Sequence, residues 1–209
     1  MVLNAMKALI LGGFLGSGKT TVLLQLARYL VDQSPSKETA LVIIENEISQ
    51  NDVDGKLLNQ NSLSVENLFA GCACCSGSGQ LCDTVRKIQQ RFDPEWIIIE
   101  ASGVAYPDAI WQTLHEELGM EAGMLAIVDV KRWRRVQRAM GPFVQAQLNG
   151  AQVVLLTKID LVTEDTVQEV TASAAQYAPQ AQLYPICALE PQGDRFWSGI
   201  IQQLGRVVS

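Results

Sequence analysis

The sequence predicts an α/β fold in which helices cover both faces of a mainly parallel sheet. Short apolar runs rich in Val, Ile and Leu recur along the chain, which is typical of strands buried on both faces. Each run is followed by a segment with the helical spacing of apolar residues, the alternation that builds parallel sheets. With 209 residues, 48% of them hydrophobic, the chain can bury one full core, and we expect a single domain over residues 1–209.

The predicted strands are short apolar runs, and the predicted helices carry apolar residues three and four positions apart. The strands are Lys7–Leu11, Ala40–Ile44, Ser64–Phe69, Trp96–Ile99, Met124–Val128, Val153–Leu156 and Gln182–Pro185. The helices are Lys19–Val31, Gln80–Arg91, Pro107–Leu118, Arg132–Arg138, Glu164–Tyr177 and Asp194–Leu204. Pro107 and the acidic pair Glu164-Asp165 are typical helix starts.

Charge and hydropathy exclude several classes of partner. A net charge of -6 gives the chain no general attraction for nucleic acid or for anionic membranes. No apolar run reaches the ~18 residues of a transmembrane helix, and Met1 to Met6 is too short and too weakly charged for a secretion signal. We therefore expect a cytoplasmic protein with no nucleic-acid partner and no membrane partner.

A glycine-rich segment follows the first predicted strand. It reads Gly12-Gly13-Phe14-Leu15-Gly16-Ser17-Gly18-Lys19-Thr20 and fits the phosphate-loop motif G-x-x-x-x-G-K-[ST] of P-loop nucleoside triphosphatases. Small residues let backbone N–H groups surround phosphate oxygens at a helix N-terminus, while Lys19 contacts the β- and γ-phosphates and Thr20 binds Mg²⁺. The predicted phosphate contacts are Gly13, Gly16, Ser17, Gly18, Lys19, Thr20 and Thr21.

Residues with ligand-binding chemistry also follow the other predicted strands, at the edge where parallel sheets bind ligands. They are Glu45-Asn46-Glu47, Gly71-Cys72-Ala73-Cys74-Cys75, Glu100-Ala101-Ser102-Gly103, Asp129, Thr157-Lys158-Ile159-Asp160 and Cys187-Ala188-Leu189. Glu100 ends an apolar strand, so we expect it to orient water or the hydration shell of Mg²⁺ as a catalytic residue beside Lys19. Gly103 is expected to donate its backbone N–H to the γ-phosphate, and Asp129 is a weaker candidate for a role like that of Glu100.

The segment Thr157-Lys158-Ile159-Asp160 predicts recognition of guanine. The Asp160 carboxylate would accept from the ring N–H and the exocyclic amino group, a donor pair that adenine lacks. Lys158 would lay its alkyl stem along the base. Thr157 stands where guanine-nucleotide proteins commonly carry Asn, and the Ala188 N–H is the expected donor to the guanine oxygen.

Three cysteines occupy four consecutive positions, at Cys72, Cys74 and Cys75. Thiolates favour soft metals, and we interpret the cluster as a site for Zn²⁺ or another transition metal, with Glu47 as a further ligand. Redox chemistry of the vicinal pair is the alternative. Cys82 and the single histidine, His115, are further candidates, but the pattern around Cys82 favours a buried core residue and His115 is expected on a helix surface.

Together these motifs resemble the CobW-like GTPases, relatives of the urease- and hydrogenase-accessory GTPases that deliver metals to client enzymes. The resemblance rests on the phosphate loop, on C-x-C-C at Cys72 to Cys75, on E-x-x-G at Glu100 to Gly103 and on the N-K-x-D-like segment at Thr157 to Asp160. It also includes a first switch at Glu45 to Glu47 with Asp54-Gly55. The family's N-E-F-G-E is replaced here by Asn46-Glu47-Ile48-Ser49-Gln50. The resemblance implies a three-layer sandwich of the SIMIBI type, and we expect a short form without the family's C-terminal domain and histidine-rich stretches.

The resemblance implies a slow GTPase that uses GTP, Mg²⁺ and Zn²⁺ or another transition metal. Its partner would be a client metalloenzyme or a cofactor-dependent enzyme such as one that uses a cobalamin-type corrinoid, and a homodimer is a further expectation. Two alternatives stay open: a nucleotide-binding metal or redox sensor without significant turnover, and a small-molecule kinase. The sequence shows no arginine finger near the phosphate loop. A basic stretch at Lys131, Arg132, Arg134, Arg135 and Arg138 predicts a solvated helix face, with Trp133 as a docking residue in the alternative reading.

Overall fold

The sheet and helices of the predicted α/β fold are present in the computed structural model, which describes residues 6–35, 40–45, 65–67, 78–103 and 105–205. Within these residues the sheet has the strand order β3-β2-β4-β1-β5-β6-β7, and every neighbouring pair is parallel. The strands are β1 (Lys7–Gly13), β2 (Leu41–Glu45), β3 (Val65–Asn67), β4 (Trp96–Glu100), β5 (Ala122–Asp129), β6 (Val153–Thr157) and β7 (Gln182–Pro185).

Each predicted helix is also present. The helices are α1 (Lys19–Gln33), α2 (Ser78–Phe92), α3 (Pro107–Leu118), α4 (Trp133–Leu148), α5 (Glu164–Ala175) and α6 (Asp194–Gly205). Short 3₁₀ turns follow β5 at Val130–Arg132 and β6 at Ile159–Leu161. None of the helices in the described residues has the length and apolar character that crossing a bilayer requires.

The strands are buried on both faces, and their side chains alternate between two packed layers. Leu9 and Leu11 of β1 pack in a cluster with the apolar sides of α1 and α6. Ala8 and Ile10 point to the opposite face, where α2 and α3 pack. Further along that face, α4 and α5 cover the ends of β5 and β6. This two-sided burial explains why the strands read as continuous apolar runs.

Two predicted boundaries were wrong in a way that matters for the site. β1 continues two residues beyond Leu11 and ends at Gly13, so the first glycines of the phosphate loop belong to the strand. Helix α4 does not stop at Arg138 but runs to Leu148, with one non-helical residue, Met140 (φ -139°, ψ 38°). Pro142 lies inside this span, where a proline disrupts a continuous helix. The chain breaks at Met140 and resumes the helix.

Candidate functional site

The residues at the ends of β4, β5 and β6 share the face of the sheet that packs on α1. Side chains alternate along a strand, and Ile98, Ile127 and Leu155 belong to the core cluster on that face. Two residues further on, Glu100, Asp129 and Thr157 end their strands on the same face. The sheet therefore delivers three polar side chains to the place where α1 begins.

An open cavity of about 400 Å³ lies at this edge of the sheet. Its lining residues come from the phosphate loop, from the end of β4 and from the segment after β6. They are Leu15, Gly16, Gly18, Lys19, Thr20, Thr21, Glu100 and Lys158. Motifs that are up to about 140 positions apart in the chain thus meet at one cavity, as expected from the strand-end pattern.

The charged pair in this cavity is Lys19 and Glu100. The Lys19 ammonium lies 3.9 Å from the Glu100 carboxylate, and their side chains are only 5% and 9% exposed. Lys19 also donates a hydrogen bond to the backbone oxygen of Gly13, at 3.1 Å. A buried ammonium with an open cavity beside it is suited to a polyanionic ligand, because burial strengthens its interaction with added negative charge.

Two glycines allow the phosphate loop to pack tightly against its surroundings. Gly13 has φ +141°, and a Cβ placed on it would lie 2.6 Å from the backbone oxygen of Ile127. A Cβ on Gly103 would lie 2.7 Å from the backbone nitrogen of Leu15. Both contacts are shorter than packed atoms permit, so a side chain at either position would displace backbone. The E-x-x-G segment thus contacts the loop through Gly103.

A buried glutamine that the sequence analysis missed supports the base of the loop. Gln147, on α4, is 1% exposed. Its side-chain oxygen accepts from the Gly13 N–H at 2.8 Å, and its side-chain nitrogen donates to the backbone oxygen of Ala105. It thereby ties β1 to the segment that precedes α3. No motif includes Gln147, and 134 positions separate it from Gly13.

The last residue of β6 and the residue after it bind the phosphate loop directly. The Thr157 hydroxyl lies within hydrogen-bond distance of two carbonyl oxygens, that of Ser17 at 2.7 Å and that of Val128 at 3.1 Å. The Lys158 ammonium donates to the backbone oxygen of Gly16 at 2.6 Å. Lys158 has a left-handed backbone (φ +61°), which is uncommon for a residue with a side chain. The threonine in place of the common Asn thus has a defined role in holding the loop.

Asp129 and Arg132 extend this contact network. Asp129 accepts from the Lys158 ammonium at 2.7 Å and from the backbone N–H of Arg132 at 3.1 Å. The Arg132 guanidinium donates to the backbone oxygen of Leu15 at 3.1 Å. No arginine finger was expected near the loop, and the turn after β5 brings Arg132 to it as a donor to a loop carbonyl. Asp129 thus pairs its charge with Lys158 and binds the backbone of Arg132.

The two residues expected to recognise the base follow β6 and β7, and Ala188 is buried whereas Asp160 is not. Asp160 is exposed within the 3₁₀ turn after β6. Ala188 lies after β7, in a loop fixed by Gln25 of α1, another residue that the sequence analysis missed. The Gln25 side chain donates to the backbone oxygens of Ala188 at 2.8 Å and Glu190 at 3.2 Å, and it accepts from the Gln192 N–H at 2.9 Å.

The predicted metal ligands Glu47, Cys72, Cys74 and Cys75 lie outside the described residues, as does the first-switch segment with Asp54. Among the residues that are described, no three His, Cys, Asp or Glu side chains converge as metal ligands. Cys82 is 3% exposed, and burial raises the pKa of its thiol, which confirms it as a core residue. His115 lies on the surface of α3, as expected, with Nδ1 2.9 Å from the Glu121 carboxylate.

The basic stretch is exposed on the turn after β5 and on the start of α4, and its tryptophan is not a docking residue. Lys131, Arg132, Arg134, Arg135 and Arg138 are all exposed. Trp133 is 3% exposed, and its indole N–H donates to the Ser173 hydroxyl at 3.0 Å, so the docking interpretation was wrong. The neighbouring Arg134 hydrogen-bonds the exposed Glu169, which holds the pKa of that carboxyl below its usual value.

Comparison with known proteins identifies a family match over most of the chain. The family described as CobW/HypB/UreG, nucleotide-binding domain, matches residues 7–185. The zinc chaperone YjiA of Escherichia coli is 32% identical over 174 residues, which cover 78% of this chain and 52% of YjiA. The zinc-regulated GTPase metalloprotein activator 1 of Dictyostelium discoideum is 26% identical over 217 residues, which cover 83% of this chain and 44% of that protein.

The chain is also similar in fold to solved structures. The hydrogenase maturation factor HypB from Archaeoglobus fulgidus superposes with a TM-score of 0.65 at 16% identity, over 94% of this chain and 89% of that one. At this identity the likeness concerns the fold alone. The chain spans about half the length of the curated relatives that it matches.

Proposed function

The chain belongs to the CobW/HypB/UreG family of nucleotide-binding domains, and on that premise we propose that it is a GTP-binding, slowly GTP-hydrolysing metallochaperone or an activation protein for a cofactor-dependent enzyme. The observation that carries the proposal is the cavity beside β1. It joins the phosphate loop, a buried Lys19–Glu100 pair and Lys158 from the segment expected to recognise guanine. Each of these has a distinct task toward a nucleoside triphosphate.

The phosphate end of the nucleotide would lie against the loop and Lys19. The cavity fits this ligand because its one strongly buried cation lies at the start of α1, where helix N-termini favour anions. Thr20 would bind Mg²⁺, and Glu100 would orient the hydration shell of the ion or the attacking water. Gly103 packs against Leu15 of the loop, and its N–H would donate to the terminal phosphate. Lys19 would stabilise the charge that develops on the phosphate oxygens.

The base would lie over the segment after β6. Lys158 lines the cavity and its ammonium holds Gly16, so the base and phosphate elements are physically joined. Asp160 would accept both guanine donors, and the Ala188 N–H would donate to the guanine oxygen. Gln25 fixes the loop that carries Ala188.

Guanine recognition is tested by exchanging one donor–acceptor pair. Xanthine carries an oxygen where guanine carries the exocyclic amino group, so Asp160→Asn should bind xanthosine diphosphate better than GDP. We expect GDP affinity to fall on the order of 100-fold, since hydrogen bonds to a charged group are lost. Binding of ADP in preference to GDP by the unsubstituted protein would remove the guanine argument and favour the small-molecule kinase.

The metal part of the proposal assigns Cys72, Cys74 and Cys75, with Glu47, to Zn²⁺ or another transition metal that is delivered to a client. The sheet order supports it. Asn67 ends β3 two strands away from Glu100, and neighbouring strands are about 4.8 Å apart. The chain therefore enters the segment with Cys72 roughly 10 Å from the strand that carries Glu100. A client metalloenzyme or a corrinoid-dependent enzyme is the proposed partner, and a homodimer is part of the same proposal.

Zinc titration of protein loaded with GDP or with a non-hydrolysable GTP analogue tests the coupling between metal and nucleotide. Coupling of this kind is typically ~1–3 kcal/mol, so zinc affinity should differ by several-fold to about 100-fold between the two states. Cys72→Ser should weaken zinc binding. Cys82→Ala, in the core, is the matched control and should leave zinc affinity unchanged. Equal affinities in both nucleotide states would contradict the coupling, and undetectable GTP hydrolysis would favour the sensor.

A further inference from the structure

One carboxylate, that of Asp129, contacts the Lys158 ammonium and the backbone N–H of Arg132, and both of these residues hold the phosphate loop. Asp129 ends β5, and its side chain is only 7% exposed. One of its oxygens is 2.7 Å from the Lys158 ammonium, and the other is 3.1 Å from the backbone nitrogen of Arg132. Lys158 and Arg132 in turn bond the carbonyl oxygens of Gly16 and Leu15, at 2.6 Å and 3.1 Å.

Covalent geometry links these carbonyl contacts to phosphate binding. In a trans peptide the N–H of one residue points opposite to the C=O of the residue before it. Because Arg132 bonds the Leu15 oxygen, the Gly16 N–H points away from Arg132. In the same way, because Thr157 bonds the Ser17 oxygen, the Gly18 N–H points away from Thr157. Gly16 and Gly18 both line the cavity.

The middle carbonyl fixes the bend of the loop. The Ser17 N–H, which follows the Gly16 carbonyl, donates to the Phe14 oxygen at 3.1 Å and closes a turn. Lys158 holds the same peptide from its other side through the Gly16 oxygen. Three successive carbonyls of the loop are thus held by side chains from the ends of β5 and β6, two of them by residues that Asp129 contacts.

We propose that Asp129 is a positioning residue for nucleotide binding: it holds Lys158 and the turn of Arg132 so that the phosphate loop is shaped before the nucleotide arrives. The inference rests on the proposed function, because it concerns the same cavity. Asp129 does not touch the nucleotide in this account and acts through Lys158 and Arg132. Asp129 also joins β5 to the segment expected to recognise guanine, because it bonds Lys158 and because its register partner on β6 is Thr157.

A double-mutant cycle separates action through Lys158 from an independent role. Asp129→Asn keeps the shape and an acceptor for Arg132 but removes the charge that faces Lys158. Lys158→Met keeps the apolar stem and removes the ammonium. We expect each single variant to weaken GDP binding by about 10- to 100-fold, the size of a lost charged hydrogen bond, and the double variant to be no weaker than the poorer single variant within about threefold.

Kinetics provide the readout that a purely structural role would not give. For Asp129→Asn, KM for GTP should rise with the GDP dissociation constant while kcat changes by less than about threefold, because the interaction is the same in ground and transition states. Asp129→Glu should recover part of the affinity. Glu169→Gln, which removes an exposed carboxylate bonded to Arg134, is the matched control and should bind GDP like the unsubstituted protein.

Thermal unfolding without nucleotide checks that the variants fold, and Asp129→Glu carries the comparison if Asp129→Asn does not. The proposal would be overturned if the losses of GDP affinity in the two single variants multiplied in the double variant. Unchanged GDP affinity in Asp129→Asn would overturn it as well. Preference for ADP in the unsubstituted protein would contradict the guanine function alone, and the same cycle run with ADP would still decide the role of Asp129. Failure to bind any nucleotide would overturn both.

Discussion

The side-chain oxygen of Gln147 accepts a hydrogen bond from the backbone N–H of Gly13 at 2.8 Å, at the end of the central strand β1. The other end of the same amide donates to the Ala105 oxygen. One buried side chain therefore satisfies two backbone groups from separate parts of the chain, and each would be costly to leave unpaired.

We expect Gln147→Ala to lower the free energy of unfolding by at least about 2 kcal/mol, since two buried backbone groups lose their partner. Chemical denaturation followed by circular dichroism measures this loss. Gln145→Ala is the control, because Gln145 lies on the same helix but is exposed and makes a 3.4 Å contact with the Tyr177 oxygen. Similar losses of unfolding free energy in the two variants would show that the buried hydrogen bonds of Gln147 add no more stability than an exposed contact.

Gly103→Ala should impair GTP turnover. The new Cβ would lie 2.7 Å from the Leu15 nitrogen, so either the loop or the end of β4 must shift. Misplacement of about 1 Å near reacting groups costs on the order of 100-fold, and we expect a loss of about 10- to 100-fold in kcat/KM for GTP. Gly79→Ala on α2 meets no atom within 4 Å and should leave turnover unchanged. Equal activities for both variants would contradict the contact.

Gln25→Ala should weaken GDP binding more than ADP binding. Gln25 fixes the backbone of the loop that carries Ala188, which is expected to contact only the guanine oxygen. We expect GDP affinity to fall by about 5- to 15-fold, the effect of losing ordinary hydrogen bonds of about 1–1.5 kcal/mol. Calorimetric titration with both nucleotides measures the ratio. A parallel fall for GDP and ADP would place the effect on α1 and the phosphates instead.

The pKa of Glu169 should be depressed by its hydrogen bond to Arg134. A carboxyl whose folded pKa lies below its unfolded value contributes stability above the unfolded pKa, and this contribution is lost as pH falls through the folded pKa. Because the pair is exposed, the contribution should be small. An NMR titration of the Glu169 carboxyl in the unsubstituted protein and in Arg134→Gln checks the direction. The pKa should rise in the variant, and an unchanged value would show that the pair does not persist in solution.

Residues that act within a contiguous motif could be predicted from the sequence, whereas those that act across the fold could not. Lys19 and Lys158 belong to segments whose spacing indicates their chemistry, and the alternation of strands and helices places those segments at one edge of the sheet. Gln147 and Gln25 are amides on helices, 134 and 163 positions from the backbone groups they hold. An amide has no motif of its own, so only the packing of its helix identifies its role.

The boundary errors have a similar cause. Helix α4 was predicted to stop at Arg138, and Gly141-Pro142 just beyond it disfavours a helix locally. Val144 and Leu148, beyond the proline, are buried against β5 and β6, and their packing sustains the second part of the helix. Tertiary burial thus overrides the local preference, at the cost of the non-helical residue Met140.

The position of Gln147 on α4 has a consequence for how the chain can vary. Successive residues of a helix are rotated by about 100° around its axis, so inserting or deleting one residue between Trp133 and Gln147 would turn the amide away from Gly13. The phosphate site therefore requires the rotational position of α4 as well as the glycines of the loop, although Gln147 belongs to no motif. The number of residues between motifs, and not only the residues within them, is constrained in this fold.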